Sequence, residues 1–284
     1  MNRLRALGSC LCLLVLLLAG PARAADLKLT TWNLNWLTLR PAGAPGLPSD
    51  VRPREAGDFD RLRAYALELD ADVVGVQEVD SYDVLRLVFP PDRYVLHLTR
   101  DRLTQKVGVA IRRGLRHDVH PDVAMAADPG TQVRSALDIT LTETRLRLLV
   151  VHLKQGCRDP KQDRSGGRDC AILHGQAQPL AAWIAERQEA FVVLGDFNRW
   201  MDRRDRFLDA LRQAAPLTRA TEGFANPCWA NTAFIDHILL GGPAQAWVVP
   251  NSLVVLRYRE TGDGWKARIS DHCPVSVRLR APDP

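Results

Sequence analysis

Six apolar runs in this 284-residue chain carry, at or near one end, a polar side chain that can hold a cation, grip an anion or move a proton. Thr30-Thr31-Trp32-Asn33-Leu34-Asn35 sets Asn33 and Asn35 on one face of an extended segment, with Trp32, Leu34 and Trp36 on the other. Two amides there can donate to phosphate oxygens or offer a carbonyl oxygen to a metal; the bland alternative is a pair of turn asparagines. Val73-Val74-Gly75-Val76-Gln77-Glu78 closes a buried-type run with a carboxylate. Such a charge must be paired, solvated or metal-bound, because burying it bare is costly. Magnesium and calcium favour hard oxygen ligands of this kind.

Leu148-Leu149-Val150-Val151-His152-Leu153 repeats the pattern with His152, a position that a structural histidine fills equally well. In Phe191-Val192-Val193-Leu194-Gly195-Asp196-Phe197-Asn198, an acid and an amide share a face if the strand stays extended. They suit water activation and phosphate binding, or else a βα turn with an Asx cap. Gly195 admits a close neighbour, either backbone or ligand. Phe234-Ile235-Asp236-His237-Ile238 buries a carboxylate that needs a partner and sends His237 to the opposite face, where a structural role is expected. Ser270-Asp271-His272-Cys273-Pro274 offers Asp271 to a metal and His272 as acid or base, with Asp236 to fix its tautomer.

These residues need a scaffold of strands. β-Branched and alternating patterns predict strands over 28–35, 72–78, 94–98, 107–111, 133–142, 145–153, 191–196, 233–240 and 275–279. Helices are expected over 59–69, with Asp58 as cap, over 171–187, interrupted at Pro179, and near 205–213. Short turns such as Thr142-Glu143-Thr144 favour two mixed sheets over an alternating barrel. The Pro- and Gly-rich stretch 40–55 reads as a long surface loop, either bordering the site or mobile.

Arg3 and Arg5, the apolar run Leu11 to Leu18 and Ala22-Arg23-Ala24 have the layout of an export signal, with cleavage expected after Ala24. The run is too short to span a bilayer comfortably, so no stable membrane anchor is expected. Residues 25–284 then form one domain, periplasmic or extracellular. Losing Arg3, Arg5 and Arg23 lowers the formal charge from +5 to +2, which by itself is no nucleic-acid footprint. Four cysteines remain, and three pairings are possible. Cys157 and Cys170 bracket a polar loop that a local bridge would close, leaving Cys228 for Cys273; free thiols or a metal site are the alternatives.

Taken in order, Thr-Trp-Asn-Leu-Asn, Val-Gln-Glu, Val-His-Leu-Lys, Gly-Asp-Phe-Asn, Ile-Asp-His and Ser-Asp-His-Cys-Pro resemble the endonuclease/exonuclease/phosphatase superfamily. That group includes pancreatic deoxyribonuclease, abasic-site endonucleases, inositol-polyphosphate phosphatases and bacterial sphingomyelinases. The resemblance runs from Thr30 to about Val277, and Gly-Asp-Phe-Asn with Ser-Asp-His are its most specific parts. It implies an α/β fold, a four-layer α/β/β/α sandwich of two mixed sheets flanked by helices, and divalent-metal-dependent phosphoester hydrolysis.

By position, Glu78 resembles the principal metal ligand, helped by Asn33 or Asn35 and by Asp271. Mg2+ is the expected ion, with Mn2+ or Ca2+ as alternatives. Asp196 resembles the residue that orients or deprotonates water, Asn198 the one that steadies the phosphate, and His272 with Asp236 the family's acid/base pair. His152 matches the histidine of the deoxyribonuclease and sphingomyelinase branches, where abasic-site enzymes carry tyrosine. Asn35 stands where some members carry aspartate. Arg134 resembles a phosphate-contacting arginine of deoxyribonuclease, with a surface salt bridge as the alternative.

The expectation is an exported, monomeric phosphodiesterase acting on DNA by in-line attack of water. Arg158, Lys161, Arg164 and Arg168 are candidates to track a phosphate backbone, although Asp159, Asp163 and Asp169 interleave with them. A phosphatase is one alternative. Another is a sphingomyelinase-like phospholipid phosphodiesterase, docking through Trp200, Trp229 or Trp265. A non-catalytic phosphate- or protein-binding member should have lost an acid or histidine from the set, and none is missing.

Overall fold

The computed structural model describes residues 26–282 except 129, 202, 203 and 263. The expected export signal lies outside the described residues. The chain runs β1 (Asp26–Leu37), α1 (Ala56–Leu69), β2 (Val73–Val79), α2 (Tyr82–Val88), β3 (Tyr94–Leu98) and β4 (Lys106–Arg112). It continues through β5 (His117–Val119), β6 (Leu137–Leu141), β7 (Leu146–His152), α3 (Arg168–Ala185), β8 (Phe191–Asp196) and α4 (Arg206–Ala214). It ends with β9 (Leu217–Arg219), β10 (Asp236–Gly241), β11 (Val254–Val255), α5 (Trp265–Arg268) and β12 (Val275–Arg280).

The strands form two mixed six-stranded sheets, ordered β11-β12-β1-β2-β4-β3 and β5-β6-β7-β8-β10-β9. Each sheet has one parallel pair at its centre, β1 with β2 and β7 with β8, and antiparallel neighbours outside it. Strand alternation then sorts the side chains into layers. Leu29, Val73, Val109, Leu148, Val150, Val192, Leu194, Ile238 and Val277 fill the space between the sheets. The opposite parity faces helices: Trp32, Leu34, Val74 and Val76 pack with Phe59, Leu62 and Leu85 of α1 and α2. Leu149, Val151 and Val193 pack with Leu173, Leu180, Phe207 and Leu211 of α3 and α4. The result is the expected four-layer sandwich. At Gly75 the sheets approach so closely that an added Cβ would sit 2.9 Å from a Val150 methyl.

Several local expectations change. Helix α1 begins at Ala56, and Asp58 is its N3 partner in a reciprocal capping box with the N-cap Glu55, not the cap itself. Helix α3 continues through Pro179, because Leu173 and Gln176 before it and Leu180 and Trp183 after it are pinned on one buried face. Strand β6 is shorter than the run 133–142 suggested. The stretch 40–55 contains no helix or strand, yet its two ends are tied down. Arg40 pairs with Asp80 at 2.9 Å, and buried Arg54 donates to the carbonyls of Leu34, Trp36 and Ile269. Both expected disulfides form: Cys157–Cys170 and Cys228–Cys273, with Cα separations of 4.9 and 6.0 Å.

Candidate active site

The parity that makes the inter-sheet face apolar in mid-strand continues to the strand ends, where it turns polar. Asn33, His152, Asp196 and Asp236 all fall on that inward parity and are buried. The parallel pairs β1/β2 and β7/β8 finish at the same edge of the sandwich, bringing Asn33 and Glu78 from one sheet against His152 and Asp196 from the other. Strand β10 runs antiparallel to β8, so its first residue, Asp236, pairs with Asp196 at that edge. Residues 271 and 272 precede β12, antiparallel to β1, and arrive there for the same reason.

Asp196 Oδ2 is the hub. Asn33 Nδ2 donates to it at 3.0 Å and Asn198 Nδ2 at 3.3 Å; His152 Nε2 and His272 Nε2 stand 3.6 and 3.9 Å away. The other oxygen, Oδ1, accepts from the Asn198 backbone N–H at 2.8 Å. The same Asn33 amide also donates to Glu78 Oε1 at 3.1 Å, and Glu78 Oε2 accepts from the Trp36 N–H at 2.9 Å. Asn33 Oδ1 is taken by the Asn35 N–H at 2.9 Å, so the amide bridges two carboxylates as a donor.

The bridge depends on a bulge. The β1/β2 register shifts between Asn33 and Leu37, and Asn35, Trp36 and Glu78 have φ of 46°, 53° and 64°. Asn35 therefore leaves the face it was expected to share with Asn33. It donates instead to the Lys266 carbonyl at 3.0 Å, at the wall of the cavity. Asn198 is likewise left-handed, with φ 52°, so it meets Asp196 through a turn rather than along a straight strand. Gly195 admits backbone, as its type suggested: a Cβ there would lie 2.0 Å from the Val151 carbonyl oxygen of the neighbouring strand.

His272 Nδ1 donates to Asp236 Oδ2 at 2.9 Å, which leaves Nε2 facing Asp196. Burial opposes charge on this imidazole, but Asp236 and then Asp196 outweigh it and raise its pKa. Burial raises the pKa of Asp196; His272 opposes the shift and Asp236 adds to it. His152 is held neutral by burial, then by the positive charges of Arg134 and His272, and its Nδ1 is buried without a hydrogen-bond partner. His237 points away, as expected. Its Nε2–H donates to the Arg199 carbonyl at 2.9 Å and its Nδ1 accepts from the Thr221 hydroxyl at 2.7 Å.

These groups open on a cavity of about 640 Å3, lined by Glu78, Asp196, Asn198, Asp271 and His272 with Arg158, Trp200 and Trp229. Arg134 lies in an adjoining cavity with Trp36, Lys154 and Gln155, hydrogen-bonded to Gln105 rather than to a carboxylate. Sequence reasoning missed the residues that hold the 270–272 segment in place. Ser270 Oγ donates to the Asn33 carbonyl at 2.7 Å, and Tyr258 Oη donates to the His272 carbonyl at 2.5 Å. Trp229 Nε1 donates to the Asp271 carbonyl at 2.6 Å. The place of Ser270 beside Asp271 and of Trp229 beside Cys228 was the only signal available.

The chain belongs to the Endonuclease/Exonuclease/phosphatase family, whose model matches residues 30–272. That is a family of phosphoric ester hydrolases. Among solved structures it is similar to Danio rerio TDP2 complexed with single-strand DNA product, at 19% identity and a TM-score of 0.60, covering 89% of this chain and 98% of the other. It is also similar to an AP endonuclease from Archaeoglobus fulgidus (12% identity, TM-score 0.59, 89% and 99% covered). The 3′ phosphatase NExo from Neisseria, bound to a product DNA hairpin, gives 17% identity, a TM-score of 0.57 and the same coverage. At these identities the likeness concerns the fold. A search of curated proteins gives no match.

Proposed function

We propose that this protein is an exported, divalent-metal-dependent phosphodiesterase that cleaves DNA by in-line attack of water on phosphorus. The observation that carries the reading is the surround of Asp196 Oδ2, a buried carboxylate oxygen ringed by two amides and two imidazoles beside an open cavity.

A hard cation fits the donor set. Glu78 and Asp271 line the same cavity as carboxylates with free lone pairs, and Asp196 and Asp236 add negative charge close by. The grouping of Asp196, Asp236 and His272 suits a cation less well, because His272 Nδ1 already donates to Asp236. Glu78 and Asp271 would hold the ion, for which Mg2+ is the first choice; when bound it supplies charge neutralisation at the phosphoryl oxygens.

The chain's own residues do the rest. Asp196 is placed to take the proton of the attacking water, with Asn33 and Asn198 donating to its carboxylate and holding it in place. Neutral His152 can donate a hydrogen bond to a non-bridging oxygen without competing for the cation. His272, kept cationic and oriented by Asp236, stabilises the charge that develops in the transition state.

DNA is favoured by what happens to the acids interleaved in the basic loop. Asp163 turns inward to Arg199 at 2.7 Å and Asp169 pairs with Lys154 at 2.9 Å, leaving Lys161, Arg164 and Arg168 exposed and Arg158 at the cavity. A phospholipid substrate would call for a docking patch, yet Trp200, Trp229 and Trp265 are each partly buried. The large exposed apolar residues Leu39, Tyr82, Phe224 and Val254 are spread over the chain. The two disulfides support export to an oxidising compartment. The test is a Mg2+-dependent hydrolysis screen over DNA, RNA, sphingomyelin and inositol phosphates with an EDTA control. DNA cleavage abolished by EDTA is expected; cleavage of sphingomyelin alone would move the assignment to the phospholipid class.

A further inference from the structure

Residues adjacent to the two disulfides, Arg158 and Trp229, meet beside the catalytic centre. Cys228 directly precedes Trp229, and its partner Cys273 directly follows His272. Cys157, bonded to Cys170, directly precedes Arg158, whose guanidinium lies 5.1 Å above the Trp229 ring. The Arg158 carbonyl accepts from the Trp200 N–H at 2.8 Å, which fixes the arginine's backbone. Trp229 thus carries an arginine over its ring and meets the His272 ring edge to face, 5.1 Å away and inclined by 67°. Its indole N–H reaches the Asp271 carbonyl at 2.6 Å.

Resting on the phosphodiesterase reading above, we infer that Trp229 is a positioning residue for Asp271 and His272, clamped by the Cys228–Cys273 disulfide and capped by Arg158. The segment 270–274 has no regular secondary structure, and the carbonyls of Asp271 and His272 are met by side-chain donors. On the core side Tyr258 donates to the His272 carbonyl, and buried Ser270 ties the segment to the Asn33 carbonyl. Trp229 holds the segment from the cavity side, and only a short turn carries it. That turn is closed by the Asn226 N–H to the Thr232 carbonyl at 2.7 Å and by left-handed Ala230 and Asn231. Without a covalent tie such a loop would sample many positions, and the aromatic contact to His272 would be intermittent. The edge-to-face contact limits the imidazole's tilt while Asp236 limits its rotation.

The test compares wild type with Trp229→Phe, Trp229→Ala and the double variant C228S/C273S. Two readouts are used: hydrogen–deuterium exchange of the peptide spanning 269–274, and steady-state hydrolysis of bis-p-nitrophenyl phosphate with Mg2+. Trp229→Ala and the cysteine pair should speed exchange in that peptide while the sheet peptides stay protected. They should lower kcat by about 100-fold with KM within twofold, since misplacing a reacting group acts on turnover. Trp229→Phe keeps the ring but not the N–H, so it should fold, fall between the two and recover part of the turnover. Unchanged exchange in 269–274 for both Trp229 variants would overturn the inference, as would a rise in KM at constant kcat, which would make Trp229 a substrate contact. The exchange arm does not depend on catalysis. Wild type inactive on every phosphodiester, with 269–274 loosened in the variants, would sink the phosphodiesterase reading and leave the clamp standing.

Discussion

The imidazole Nδ1 of His272 and the carboxylate of Asp236 are 2.9 Å apart, joined across the seam between the two sheets by residues 36 positions apart in sequence. One precedes β12 and the other begins β10. The pair fixes which imidazole nitrogen faces the cavity, so its electrostatics should be separable from its shape.

Asp236→Asn keeps the volume and removes the charge that favours the imidazolium. Turnover on bis-p-nitrophenyl phosphate should fall by about 100-fold or more, with the melting temperature little changed. His272→Ala and Asp196→Ala should each cost orders of magnitude as well. Near-normal hydrolysis by either alanine variant would refute the assignment.

Glu78→Gln should weaken Mg2+ binding, read by isothermal titration calorimetry, by about tenfold or more while the fold persists, because a neutral amide oxygen is a poorer hard ligand. Unaltered affinity would remove Glu78 from the ligand set.

His237 gives a pH prediction. Burial, and then Arg219, lowers its pKa to about 3, although the hydrogen bond to the Arg199 carbonyl works the other way. Between that value and the unfolded value of about 6.5, the unfolded chain binds a proton that the native one refuses. The stabilisation is therefore complete above about pH 6.5 and lost as pH falls towards 3, at up to about 1.4 kcal/mol per pH unit. His237→Gln should flatten that part of the acid limb in urea-unfolding midpoints measured from pH 7 to 4. An unchanged slope would show that another group carries it.

Arg199 is fully buried, with its guanidinium shared between Asp163 and Asp205, both at 2.7 Å. Arg199→Leu leaves two carboxylates without their cation, and urea unfolding should show a loss of about 3–5 kcal/mol. A loss under 1 kcal/mol would mean that Asp163 is satisfied by His174, 2.9 Å away, and Asp205 by its cap to Leu208.

Much of the site was legible because strand parity is a local property. Asp236 in and His237 out followed from adjacency alone, and the structure keeps both. The apolar runs likewise announced the long central strands, since each must bury both faces. What stayed hidden was of two kinds. Strands β5, β9 and β11 have three residues or fewer, too short for any period to register, and α2 spans only seven residues behind its Ser81 cap. The other kind is backbone geometry: the bulge that turns Asn35 away from Asn33 and the positive φ at Glu78 arise from packing between strands that are distant in sequence. Trp229 was read as a candidate membrane-docking residue because an indole donating to a distant carbonyl leaves no trace in its neighbours.

The groups of the centre are contributed by opposite slabs of the sandwich: Asn33 and Glu78 by one, His152 and Asp196 by the other. Neither half of the polypeptide can own a working centre, so hydrolysis would double as an assembly sensor. Two separately produced fragments, cut between β4 and β6, should be silent apart and regain turnover only on mating, and any wedge at the Gly75–Val150 contact should dim the chemistry before it melts either slab.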